Sequence, residues 1–128
     1  MNVIRRADGD GMAYAAAEDL GHVRAFVRAR ALELGLAADR VDLLTVAVSE
    51  LATNTLQHTS GGGRVQVWAE PGQLVCEVVD GGPDRSFGVM PPAESLRGRG
   101  LALVHKIVDS VTTATTAAGT FVRMRMNL

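Results

Sequence analysis

The chain has 128 residues, 47% of them hydrophobic but only 4% aromatic, and thirteen basic residues against fourteen acidic ones give a formal charge of -1. That length supplies one domain and leaves no material for linkers or a second core. The near-neutral charge provides no broad electrostatic footprint for DNA or RNA, so direct nucleic-acid binding is not expected.

With so few aromatic residues the core must be built from Val, Leu, Ala and Met in thin layers, which suits helices laid against a sheet. Cys76, the only cysteine, sits in the apolar run LVCEVV and reads as a small buried hydrophobe. No run of about 18 apolar residues occurs, and no basic segment leads into an apolar stretch with a cleavage site. A cytoplasmic protein, neither exported nor inserted in a membrane, is the expectation.

Residues 1–19 carry the weakest pattern: VIRR fits an edge strand, ADGDG a turn or disorder, and a short Ala-rich stretch follows. The domain proper is expected over 20–128. From about Leu20, Val23, Phe26, Val27, Ala31 and Leu34 recur at the spacing of one helix face. Gly35 supplies a stop, and Leu36 can pack back on the last turn. Asp39 can cap a second helix that runs to about His58 and is closed by SGGG. RVQVWAE and LVCEVVD alternate as strands around PGQ and predict a hairpin.

Periodicity then disappears over 80–99, a Gly- and Pro-rich stretch of the kind that serves as a functional lid. Gly100 opens an apolar helix with Leu101, Val104, Ile107, Val108 and Val111 toward the core. VTTATT and TFVRMRM form a second hairpin around 117–119, with Val122, Met124 and Met126 on one face. The resulting fold class is α+β, a two-layer sandwich in which about three helices cover one face of a mixed sheet.

Three segments carry chemistry. In the second helix Leu44, Val48, Leu51 and Thr55 form the packing side, while Glu50, Asn54 and His58 lie at four-residue steps on another. Such a stripe fits either a solvated face or a set of groups turned to one ligand. Asp80 ends an apolar strand at a Gly-rich turn, either as a turn former or as an acceptor for the exocyclic amine of a base, with Gly82 leaving room for a flat ring. In RGRGLAL, Gly98 and Gly100 can expose N–H groups to phosphates at a helix start, and Arg97 or Arg99 can add charge.

ELATNTLQH, VVDGGP, RGRGLALV and AGTFVRM resemble, in order and spacing, the N, G1 and G2 boxes and the terminal Thr strand of the GHKL superfamily, which includes gyrase, MutL and histidine kinase ATPase domains. The likeness is strongest to RsbW-like and SpoIIAB-like serine kinases that act as anti-sigma factors. It implies a Bergerat-type ATP-binding fold with ATP and Mg²⁺ as cofactors. By the same resemblance, Asn54 is the Mg²⁺ ligand and Glu50 the catalytic base. Asp80 reads the adenine, Thr120 supports it, and Gly82, Arg97, Gly98, Arg99, Gly100 and Leu101 line the rest of the nucleotide site. His58 falls where relatives often carry a His, with packing or capping an equal reading. One departure is Asp84, which stands where the DxGxG pattern of the G1 box has its second glycine.

The function implied is an anti-sigma regulatory protein that phosphorylates a serine of an anti-anti-sigma partner, sequesters a sigma factor and pairs as a homodimer. The alternative is a non-catalytic ATP-binding switch that regulates a protein partner; Glu50 separates the two, because only the kinase needs it.

Overall fold

The computed structural model describes residues 11–58, 62–80, 101–116 and 119–128. Along the chain these form β1 (Gly11–Tyr14), a 3-10 turn (Ala17–Asp19), α1 (Leu20–Glu33), α2 (Ala38–His58), β2 (Gly63–Glu70), β3 (Gln73–Asp80), α3 (Leu101–Ile107), β4 (Ser110–Thr116) and β5 (Gly119–Asn127). The strands lie in the order β1-β2-β3-β5-β4. Each of the four pairings is antiparallel. The α+β sandwich of helices on a sheet is therefore the observed architecture, but no parallel pair, as a mixed sheet would have, occurs among the described residues. Two hairpins, β2–β3 and β4–β5, joined through the β3–β5 pair and extended by the edge strand β1, account for all the described pairing.

Alternation decides which face is buried. Val65 and Val67 of β2, Leu74, Cys76 and Val78 of β3, and Val122, Met124 and Met126 of β5 all point to one side and are buried. They meet Val23, Val27 and Ala31 of α1, the Val41, Leu44, Val48 and Leu51 side of α2, and Val104 of α3. Among the described residues, the helices cover this face only. Burial pushes the Cys76 thiol well above its ordinary pKa, with the Glu77 carboxylate adding to it, which is the inert behaviour expected of a packed thiol.

The opposite face is tied by ion pairs. Glu77 is 5% exposed and stands directly across from Arg123, whose Nε and Nη2 donate to Oε2 at 2.9 and 2.7 Å. Arg125 Nη1 donates to Glu70 Oε1 at 2.7 Å, and Trp68 Nε1 donates to Glu70 Oε2 at 3.0 Å. Glu77 and Arg123 lie flat on the sheet as a directly opposed pair, while the Arg125 guanidinium reaches over β3 to Glu70 on β2.

Three local expectations change. Asp39 does not cap α2: the helix begins at Ala38, and Ala37 O accepts from Arg40 N and Val41 N at 2.9 Å, so Asp39 is left in the first turn. There its charge still opposes the positive helix end. Val111 belongs to β4 rather than the last helix. The cause is Asp109, whose Oδ2 accepts from Asn127 N at 2.7 Å and from Arg40 Nη2 at 3.1 Å, fixing the turn that starts the strand. These contacts, the Asn127 amide first, hold the Asp109 carboxyl below its ordinary pKa; the stabilisation is present above the unfolded pKa and is lost as pH falls through the folded one. The third change is at the N-terminal end. VIRR lies outside the described residues, and the edge strand that is described is Gly11–Tyr14.

Gly35 ends α1 as expected, with φ 103° and Leu36 N donating back to Ala31 O at 3.0 Å, the six-to-one bond of a Schellman close. Leu36 is buried against the core.

Candidate nucleotide site

Strand register assembles the site at one end of the sheet. Tyr14 of β1 pairs with Gly63 of β2, and Gly63 pairs in turn with Asp80 of β3. Val79 pairs with Phe121, so the next position sets Asp80 beside Thr120, whose N donates to Asp80 Oδ1 at 3.2 Å. Tyr14, Gly63, Asp80 and Thr120 thus form one row across four strands. Alternation turns all four toward the helices, because Val65, Val78 and Val122, two residues along their strands, are core.

Two glycines make the row possible by leaving space. A Cβ on Gly119 would stand 2.7 Å from both Asp80 O and Asp80 Oδ1, so the carboxylate occupies room that any other residue would fill. On Gly63 a Cβ would meet Val79 O at 2.3 Å and Tyr14 Oη at 2.7 Å. The Tyr14 ring therefore crosses over Gly63 toward Asp80. Gly63→Ala is expected to cost about 1–3 kcal/mol, since the backbone carbonyl cannot move aside and the tyrosine must; urea unfolding measures it.

The polar stripe on α2 divides by burial. Glu50 is exposed, whereas Asn54 is half-buried and its Nδ2 is sealed from water without a hydrogen-bond partner. A buried amide left unpaired costs free energy, so the group calls for a physical reason to be kept there. His58 closes the helix; only its backbone is described. The next residue after Asn54, Thr55, donates its hydroxyl to Leu51 O at 3.1 Å and reaches Tyr14.

On the far side of Glu50 from Asn54, a groove of about 360 Å³ runs between α1 and α2, lined by Arg24, Val46, Ser49 and Glu50 among others. Arg24 Nη1 donates to Ser49 Oγ at 3.3 Å across it. Val46 is 49% exposed there. Glu50, exposed, is part of that lining.

The structure brings Asp80 and Thr120 together and sets Glu50 and Asn54 one turn apart on α2. Gly82, Asp84, Arg97, Gly98, Arg99 and Gly100 lie outside the described residues, and Leu101 is described only as the first residue of α3. Sequence reasoning missed Tyr14, placed Gly63 merely in the closure of a helix, and gave Gly119 no role beyond a turn. A signal existed for the first: Tyr14 is the only tyrosine, at an alternate position of an otherwise small-residue stretch.

A model of the histidine kinase-like ATPase domain matches residues 13–126. The chain belongs to that family, within the GHKL superfamily. Among solved structures it is similar to the RsbU and RsbW domains of Rv1364c from Mycobacterium tuberculosis, at 22% identity and a TM-score of 0.71, covering 92% of this chain and 32% of that one. It thus spans about a third of the larger protein. It is also similar to the histidine kinase domain of the E. coli osmosensor EnvZ, at 18% identity and a TM-score of 0.53, covering 93% of this chain and 88% of that one. At these identities both show the fold, the Bergerat-type sandwich. No curated protein matches the chain. Among the described residues, no helix is long and apolar enough to cross a membrane.

Proposed function

We propose that the chain binds Mg·ATP and transfers its γ-phosphoryl group to a serine of an anti-anti-sigma protein, and so regulates a sigma factor that it sequesters as a homodimer. The observation that carries the reading is the pairing of two features: a carboxylate cradled by Thr120 N and Gly119 at the sheet end, and a buried, unpartnered Asn54 amide on the helix beside it. Family membership supports ATP as the ligand. The likeness in fold to a structure that includes an RsbW domain supports the anti-sigma role.

Asp80 is suited to accept the exocyclic amine of adenine, with Thr120 holding the carboxylate and Gly82 leaving room for the ring. Asn54 offers an amide oxygen, a hard donor suited to Mg²⁺, and would hold the ion that neutralises phosphate charge. Its Nδ2, now unpaired, is then free to donate to a phosphate oxygen. Gly98, Gly100, Leu101 and the arginines Arg97 and Arg99 are assigned to the phosphate side by the resemblance of their motif. Mg·ATP supplies the transferable phosphoryl group and the charge neutralisation that lets an oxygen nucleophile approach it.

Glu50 is assigned the partner's serine hydroxyl. The serine oxygen forms a bond to the γ-phosphorus and the bond from that phosphorus to the β–γ bridging oxygen breaks. The hydroxyl proton passes to the Glu50 carboxylate, and ADP leaves. The exposure of Glu50 supports this, since a base that serves a protein substrate must be reachable from outside. Phosphate on the partner adds negative charge and weakens its complex. Incubation with labelled ATP, Mg²⁺ and the anti-anti-sigma protein that co-purifies is the test: phosphoserine on that partner is expected, and a partner that stays unlabelled while ATP binds rules out the kinase.

A further inference from the structure

Among the described residues, one buried polar group at the sheet end is left unused by the proposed chemistry. Tyr14 is 2% exposed, yet its hydroxyl has no formed hydrogen bond. The Thr55 hydroxyl donates to Leu51 O at 3.1 Å and lies close enough to the phenol to lower its pKa without closing a hydrogen bond to it. Burial, partly offset by Thr55 and reinforced by the charge of Asp80, pushes the phenol pKa up to about 12, so the group is a neutral O–H at any working pH. A phenol that only filled core space would be replaced by Phe at no cost, because an orphan hydroxyl is a burden. Here the backbone is shaped around it. Gly63 lies between Tyr14 and Asp80 in the row, and the absence of its side chain lets the ring reach across.

Asp80 has capacity to receive it. An ionised carboxylate is acceptor-only, with about four lone-pair sites, and the Thr120 amide is one of the donors on it. A base amine is another. A further donor from the Tyr14 side would fix the plane of the carboxylate, and the gain lies in that orientation, which leaves the oxygen that reads the amine already aimed at it.

We propose that Tyr14 is a positioning residue of the base site: when an amine-bearing purine engages Asp80, the Tyr14 hydroxyl donates to the same carboxylate across Gly63 and holds it in the orientation that reads the amine. The inference rests on the assignment of Asp80 to the base. It makes the edge strand β1 part of the nucleotide site and gives the chain's single tyrosine a role in choosing an amino-purine over an oxo-purine. With guanine, an O6 carbonyl would face the carboxylate and the tyrosine would have nothing to reinforce.

The test uses the whole chain, Tyr14→Phe and Asp80→Asn, each titrated with Mg·ATP and Mg·GTP. In parallel, the unsubstituted and Asp80→Asn proteins are labelled with ¹³C at tyrosine Cζ, which in this chain reports Tyr14 alone. Tyr14→Phe is expected to weaken ATP binding about three- to tenfold, the share of one neutral hydrogen bond. GTP binding should fall less, and the melting temperature without nucleotide should not fall. The Cζ resonance is expected to move on ATP addition in the unsubstituted protein and to stay fixed in Asp80→Asn. If Tyr14→Phe binds ATP as tightly as the unsubstituted chain, or the Cζ resonance ignores ATP that is bound, Tyr14 has no such role and the Asp80 assignment stands. If the unsubstituted chain binds no ATP, or Asp80→Asn binds it equally well, the base-site assignment itself fails and the Tyr14 inference falls with it.

Discussion

Asp80→Asn is expected to weaken Mg·ATP binding by roughly 10²- to 10³-fold while leaving the apo protein folded. The replacement keeps shape and one acceptor oxygen. Thr120 N, at 3.2 Å from Oδ1, can therefore retain its bond, and Gly119 still provides the space. What changes is the other end of the group: an NH₂ now faces an exocyclic NH₂, two donors with nothing between them. A charge-assisted hydrogen bond worth about 1.5–3 kcal/mol is lost, and the amine that would have filled it is desolvated without a partner. Together these amount to about 3–4 kcal/mol, or two to three decades in Kd.

Calorimetric titration of ATP into the two proteins measures the first part, and thermal unfolding without nucleotide the second. A sheet row built around the carboxylate for purely structural reasons gives the reverse pattern, with a lowered melting temperature and no selective loss of ATP. Unchanged affinity would remove adenine recognition from Asp80 altogether.

How far the site could be read in advance depended on whether the needed contact was local. The β2–β3 hairpin was legible because period-two alternation flanks Pro71–Gly72, and the register follows from that turn. The packing side of α2 was legible from the spacing of Leu44, Val48 and Leu51, all of them buried. Order and spacing of motifs led to the superfamily. The edge strand Gly11–Tyr14 was not legible, because Gly11, Met12 and Ala13 carry little strand preference and one tyrosine does not make a strand pattern; what makes them a strand is pairing with Gly63–Gln66, some fifty residues on. The same non-local pairing decides Gly63, which in sequence is simply another glycine after a helix. For Glu50 and Asn54, helical geometry gave a shared side, but only the packed neighbours show that one is exposed and the other holds a buried amide.

That division of the stripe leads to the second large effect. Glu50→Gln is expected to keep ATP affinity within about threefold and to slow phosphotransfer to the partner serine by roughly 10²- to 10⁴-fold, the usual share of a positioned general base. An exposed helix position tolerates the change with a stability cost inside about 0.5 kcal/mol, so a loss of transfer cannot be blamed on unfolding. Four residues of helix set Glu50 and Asn54 about 6 Å apart along the axis, enough for a serine oxygen to stand between a carboxylate and a phosphate held near the amide. Gln preserves size and polarity but cannot take the proton, so the attacking hydroxyl stays un-ionised and only proximity remains to accelerate it. Single-turnover transfer, with ATP affinity measured on the same preparation, separates the steps. If Glu50→Gln transfers phosphate at the original rate, the proton goes elsewhere and Glu50 is a surface residue of α2; if neither protein transfers while both bind ATP, the chain is a nucleotide-governed binding switch, and the exposed carboxylate serves its partner contact instead.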